Sequence, residues 1–80
     1  MLEELKKARK VVGVKQSEKA VSAGKADYVY VAADAHERVT TPFVQLCDKA
    51  GVEVRTADSM TALGHACGID VGAAVVVVLK

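Results

Sequence analysis

Apolar positions along this chain follow two alternating periods. Leu2, Leu5, Ala8 and Val12 recur at helical spacing and predict an amphipathic helix over the first ten residues. Val11 to Val14 is a short apolar run broken by Gly13, a candidate short strand. Lys15 to Ala23 has helix-forming composition, with Ala20 and Ala23 on one face and Gly24 placed as its stop. Tyr28 to Ala33 (YVYVAA) is rich in β-formers and predicts a buried strand. Thr40, Thr41 and Pro42 read as a helix start, a capping threonine followed by proline in the first turn. Phe43, Leu46, Cys47 and Ala50 then follow on one helical face, and Gly51 ends the helix. Val52 to Ala57 alternates as a strand does. Ser59 can cap a helix bearing Met60, Leu63 and Cys67, with Gly68 as its stop. Ala73 to Leu79 is unbroken apolar sequence, which predicts a central strand covered on both faces.

Strands alternating with short helices imply a layered α/β domain, a sheet with helices on both sides. In such folds the functional surface lies in loops at strand ends, where helix N-termini point outward. At 80 residues the chain is expected to be a single domain, 1–80. Aromatic residues are 4% with no Trp, so the core is expected to be aliphatic, built on Val and Ala. The longest apolar run is far below the roughly 20 residues of a membrane span, and the charged N-terminus does not read as a signal peptide. Cytoplasmic localisation is the expectation.

Charge distribution adds what net charge hides. The formal charge is +1, yet Lys6, Lys7, Arg9, Lys10, Lys15, Lys19 and Lys25 fall in one stretch with a single acid, Glu18. A polyanion is the natural partner of such a basic first third, although a solvated helix face has the same composition.

Three segments could carry chemistry. Gly13 to Lys19 joins a short strand to a helix N-terminus, where free N–H groups and the helix dipole favour an anion. Lys15, Gln16 and Lys19 can share one exposed face there and donate to base edges and phosphates. Gly68-Ile69-Asp70-Val71-Gly72 is a glycine-bounded loop whose β-branched residues can tuck into the core or form an apolar platform for an unstacked base. Ala33 to Arg38 is a polar loop in which Asp34 suits pairing with a lysine or capping a turn. Catalysis finds little support. Ser17 and Ser59 sit where caps would, and Cys67 has no base beside it except His65. Cys47 and Cys67 match no zinc spacing and read as buried thiols. No catalytic residue, metal or cofactor is expected.

GVKQSEK, VAADAHE and SMTALGHACGIDVGAA together resemble the kink-turn-binding ribosomal protein family named L-seven-Ae after its archaeal member. The resemblance covers nearly the whole chain, in order, and LGHACGI is its most specific part. The chain looks like the short bacterial, ribosomal-protein-like branch of that family. The resemblance implies a three-layer α/β/α sandwich with a mixed four-stranded sheet. It also implies binding of a kink-turn, a bulge followed by tandem sheared G·A pairs that bends an RNA duplex.

In that likeness the first motif enters the major groove at the bend, through Gly13, Val14, Lys15, Gln16 and Lys19. Gly13 and Lys19 match the family pattern, whereas Lys15 stands where Asn is usual and Gln16 where Glu is usual. Lys15 is donor-only, and Gln16 offers a donor as well as an acceptor. The loop Ile69, Asp70, Val71 and Gly72 is implied to pack on nucleotides flipped from the bulge, with Val71 where some relatives carry arginine. His36 and Thr40 fall near the bulge. The expected partner is a kink-turn RNA, ribosomal or of riboswitch type, bound by a monomer with no membrane and no small-molecule substrate. The alternative is a protein–protein interaction module on the same fold, using the Ile69–Val71 loop.

Overall fold

A computed structural model describes residues 2–80, with side chains from residue 4 onward. A short 3-10 turn, Leu2–Lys6, leads into β1 (Lys10–Val12), α1 (Val14–Ser22), β2 (Ala26–Ala32), α2 (Glu37–Ala50), β3 (Glu53–Ala57), α3 (Met60–Ala66) and β4 (Val75–Leu79). The four strands form one mixed sheet in the order β1-β4-β2-β3. β4 runs antiparallel to both β1 and β2, and β2 runs parallel to β3.

Side-chain alternation along the two inner strands builds the layers. Val76 and Val78 of β4, with Tyr30 and Ala32 of β2, face Leu5 of the 3-10 turn, Leu63 of α3 and Cys67 at the C-cap of α3. Val75 and Val77, with Val29 and Val31, face Ala20 and Val21 of α1 and Phe43 and Cys47 of α2. The result is the expected three-layer α/β/α sandwich, with the apolar last strand central as its composition required. The core is aliphatic apart from Tyr30 and Phe43, its two largest fully buried side chains. Both cysteines are free and buried. Among the described residues no helix is long and apolar enough to cross a membrane.

Three expectations need correction. The first ten residues are not one helix. Leu5 is buried and Ala8 packs beside it, so the amphipathic spacing is real. The helix stops early because Lys10–Val12 pairs with Val76–Val78, which draws the chain into extended backbone. Met1 and the Leu2 side chain lie outside the described residues. The start of α2 is not at Thr40. His36 is the N-cap, extended at φ −65° and ψ 136°, and its Nδ1 accepts the Arg38 N–H at 3.1 Å. Thr40 Oγ1 donates to the His36 carbonyl at 3.4 Å instead of capping, and Pro42 lies inside the helix. Pro42 lacks the N–H that would reach the Arg38 carbonyl. Both residues are exposed, so water can satisfy that oxygen. Ser17 is not a cap either. It is buried within α1, and its hydroxyl donates to the Val11 carbonyl at 3.5 Å.

An aromatic and charged cluster pins the 3-10 turn to the sheet. Tyr30 Oη donates to Glu4 Oε1, and Arg55 bonds Glu53 while lying 3.9 Å from Glu4. The Arg55 guanidinium also stacks 3.7 Å from the centre of the Tyr28 ring.

Candidate nucleic-acid interface

Strand register decides which loops meet. Val12 pairs with Val76, Val31 with Val75, and Ala32 with Ala57. The C-terminal ends of β1, β2 and β3 and the start of β4 therefore form one end of the sheet. The N-termini of α1, α2 and α3 open there, as does the 68–72 loop. The residues expected to touch RNA, Gly13 to Gln16, His36 and the 69–72 loop, lie at this end, with Lys19 about one turn along the helix that starts there.

The three helix starts are not equivalent. α2 is capped by His36 and α3 by Ser59, whose Oγ accepts the Ala62 N–H at 3.0 Å. Asp34 Oδ1 also accepts the Met60 N–H at 2.7 Å, so the expected structural role of Asp34 is a link across 26 residues to the start of α3. At α1 the cap position is Gly13, with no side-chain cap bond and no acid in the first turn. Its orphan N–H groups and dipole are left for an external acceptor. Gly13 adopts φ 106°, ψ 148°, a backbone conformation that L side chains rarely take. A Cβ there would meet nothing within 4 Å, so the space over this backbone is open.

Lys15, Gln16 and Lys19 are all exposed. They border two adjoining grooves on the exposed side of α1. Lys15 borders a groove toward α2, beside Glu18 and Leu46, whereas Gln16 borders a groove toward β1. Lys19 lines both and stands on the ridge between them. Gly13 N–H donates to the Val75 carbonyl at 3.3 Å, which fixes the start of α1 to the strand that follows the 68–72 loop.

The 68–72 loop divides its apolar residues between two tasks. Ile69 packs on the core beside α3, and its N–H donates to the Gly64 carbonyl at 3.1 Å. Val71 is 69% exposed, the most exposed large hydrophobic residue described. Asp70 and Gly72 are exposed. The Ala73 N–H donates to the Met60 carbonyl at 3.0 Å. The residue that sequence reasoning missed is Gly64. A Cβ on it would lie 2.1 Å from the Val71 carbonyl oxygen. The loop rests directly on this bare stretch of α3. A glycine inside a helix costs about 1 kcal/mol relative to alanine, and that cost was the readable signal.

Nucleophilic chemistry is disfavoured here. Burial pushes the Cys67 thiol upward, against a smaller pull from Lys10, and burial raises Cys47 as well. A reactive thiolate needs the opposite shift.

The family model for "Ribosomal protein L7Ae/L30e/S12e/Gadd45 family" matches residues 1–80. The chain belongs to this family. Among L7Ae-family relatives, the RNA-binding protein TTE2299 of Caldanaerobacter subterraneus subsp. tengcongensis is 46% identical over 66 residues, covering 82% of this chain and 80% of its own. RNA-binding protein YbxF of Geobacillus stearothermophilus is 41% identical over 70 residues, covering 88% of this chain and 85% of its own. The solved structure of the Giardia lamblia 15.5kD RNA binding protein superposes with a TM-score of 0.89 at 30% identity, covering 99% of this chain and 70% of that one. The L7Ae-family likeness read from GVKQSEK and LGHACGI thus extends to the whole chain and its fold.

Proposed function

We propose that this protein, as one domain over residues 1–80, binds RNA and holds a kink-turn in its bent form. The observation that carries the reading is the pairing of two unlike surfaces at one end of the sheet. One is an uncapped helix start flanked by Lys15, Gln16 and Lys19. The other is a loop that presents Val71 to solvent on a glycine-backed support. Both are tied to the start of β4, so their spacing is set by the sheet. An opened groove edge with sheared pairs suits the donors of α1, and an unstacked base suits the apolar loop. The names of the bacterial relatives and of the Giardia protein support RNA as the ligand class.

The work is conformational. A free kink-turn exchanges between bent and extended forms, and a protein that binds only the bent form shifts the population toward it. Lysines of the first third supply the salt-dependent part of the affinity. Ribosomal RNA or a structured regulatory RNA would present the motif equally well.

The test is fluorescence transfer on a doubly labelled duplex containing one kink-turn, with a control duplex whose G·A pairs are replaced by Watson–Crick pairs. Protein-dependent bending of the first duplex alone is expected. Equal, salt-sensitive binding to both would reduce the surface to a general RNA patch. Binding to neither would leave the exposed Val71 loop as a protein-docking site.

A further inference from the structure

The basic stretch extends beyond the end of the sheet at which α1 begins. Between α1 and the edge strand β1 lies a groove of about 290 Å³, floored by Val11, Ala20 and Leu79 and rimmed by Gln16, Lys19 and Lys25. No acid is among the described residues lining it. Glu18 borders the groove on the other side of α1. Among the described residues, ion pairs join Arg55 to Glu4 and Glu53 and leave Lys19 and Lys25 unneutralised. Backbone bonds gather more cations at the far end. The Leu79 N–H donates to the Arg9 carbonyl at 2.8 Å, and the Lys80 N–H donates to the Lys25 carbonyl at 3.0 Å. The backbones of Arg9, Lys25 and Lys80 thus come together where β4 finishes, with Asp27 lining a neighbouring cleft beside Lys80.

We infer that this groove is a second binding surface, a track for the sugar–phosphate backbone of the RNA stem that continues beyond the G·A pairs. The inference rests on the kink-turn reading above and extends it. Two features carry it. The first is continuity, because Gln16 in the first turn of α1 and Lys19 one turn further on both rim the groove. The second is charge complementarity, because Lys19 in the last turn of α1 and Lys25 three residues beyond its end both rim the groove, and no acid is among its described lining residues. The floor has no base-reading donors, so the track senses phosphates and ribose edges and adds affinity without sequence preference. Lys25 is its far anchor.

The test uses two kink-turn RNAs, one with a stem long enough to pass Lys25 and one closed by a tight loop just beyond the G·A pairs. Lys25→Ala and Lys25→Glu are the variants. The Lys25 side chain is exposed, and its backbone bonds to Ala20 and Lys80 need no particular side chain; thermal melts verify folding. On the long stem, Lys25→Ala is expected to weaken binding. Losing one phosphate contact should also shrink its deficit relative to wild type about 3.5-fold between 50 and 200 mM salt. Lys25→Glu should weaken long-stem binding further. On the short stem, which does not reach Lys25, both variants should lose much less than on the long one. Wild-type behaviour of both variants on the long stem, or an equal loss on both RNAs, overturns the track. Lys19→Ala separates the two claims, because it should weaken binding to both RNAs if the kink-turn reading holds. Wild-type protein that bends neither RNA rejects that reading, and the track with it.

Discussion

Gly64→Ala sets two physical effects of opposite sign against each other. In an open helix the change is favourable by about 1 kcal/mol, because alanine restricts the unfolded chain more than glycine does. Here the new Cβ would lie 2.1 Å from the Val71 carbonyl oxygen, 3.1 Å from its carbon and 3.2 Å from Gly72 Cα. Carbon contacts are comfortable only near 3.5 Å or more, so the loop must withdraw by more than about 1 Å. It is not free to do so. The Ile69 N–H is bonded to the Gly64 carbonyl and the Ala73 N–H to the Met60 carbonyl. Withdrawal loses one or both bonds at about 1 kcal/mol each. Forcing a methyl into a filled contact costs about 1–3 kcal/mol. The net expectation is destabilisation by about 1–3 kcal/mol, or a fall of very roughly 5–20 °C in Tm for a domain of this size.

The binding consequence is separable from the folding one. A displaced loop carries Val71 off its support, which should weaken kink-turn binding by up to about tenfold, the worth of a partly buried valine contact. The assay is the duplex-bending titration, run well below the variant's melting range, with normal RNA and with RNA abasic at the flipped nucleotide. The variant's deficit should disappear on the abasic RNA, because the contact it damages is already missing. Gly72→Ala gives a graded check. Its Cβ would meet the Met60 Cβ at 3.0 Å, a side-chain contact with more room to yield, so its effects should be smaller. A Gly64→Ala protein that melts at or above the wild-type temperature and binds normally refutes the claim that this glycine seats the loop.

Lys19→Ala should weaken kink-turn binding by about 1–3 kcal/mol, the loss of a charged contact at a base edge; an unchanged Kd in the same titration rejects its assignment. Cys67→Ala should leave RNA binding intact while lowering stability by about 1–2 kcal/mol through lost packing, and loss of binding at normal stability would give the thiol a direct role. Glu4 accepts from the Tyr30 hydroxyl, and this bond, followed by that from Tyr28, holds its carboxyl below the usual value of 4.5. Its contribution to stability is therefore present above the unfolded carboxyl range and is lost as pH falls through the depressed folded value. Glu4→Gln should make the acid limb of the melting curve shallower, and an unaltered limb would detach Glu4 from acid unfolding.

What could be read from the sequence depended on how local its cause is. α3 was readable at both ends, because Ser59 and Gly68 act on their own neighbours and Leu63 falls at helical spacing. β4 was readable because four consecutive valines buried on alternate faces leave no other strand position. The start of α2 was not, because a histidine cap is uncommon and a proline in the second turn looks like a first-turn proline. Nor was the Glu4–Tyr30 bond, which spans 26 residues and has no local signature. Within the candidate site, the Gly13–Lys19 segment was visible as a motif. Its meeting with the 68–72 loop depends on how β1 and β4 pair. The division of labour between Ile69 and Val71 depends on which side of the loop α3 supports.

Three residues at this end of the sheet share one physical trait: each departs from what stability alone would select. A serine or aspartate cap before α1 would add about 1 kcal/mol, yet position 13 holds a glycine at φ 106° with open space above it. Alanine would suit the interior of α3, yet Gly64 is kept bare against a loop backbone. A polar residue would suit position 71, yet valine stands 69% exposed there. Most other positions follow the rules: α2 and α3 are capped, the inner strands alternate between two apolar layers, and both thiols are buried, with Pro42 inside α2 as an exposed exception. Departures scattered through a small domain would read as tolerated defects. Three of them sharing one strand end, bound to one another through β4 and α3, are better explained by a ligand that supplies the missing partners: an acceptor for the α1 amides, and an apolar surface for Val71. The expectation is measurable, because saturating kink-turn RNA should then raise the melting temperature of the wild-type protein more than that of Gly64→Ala. An equal rise in both would mean that the loop contributes nothing to the complex.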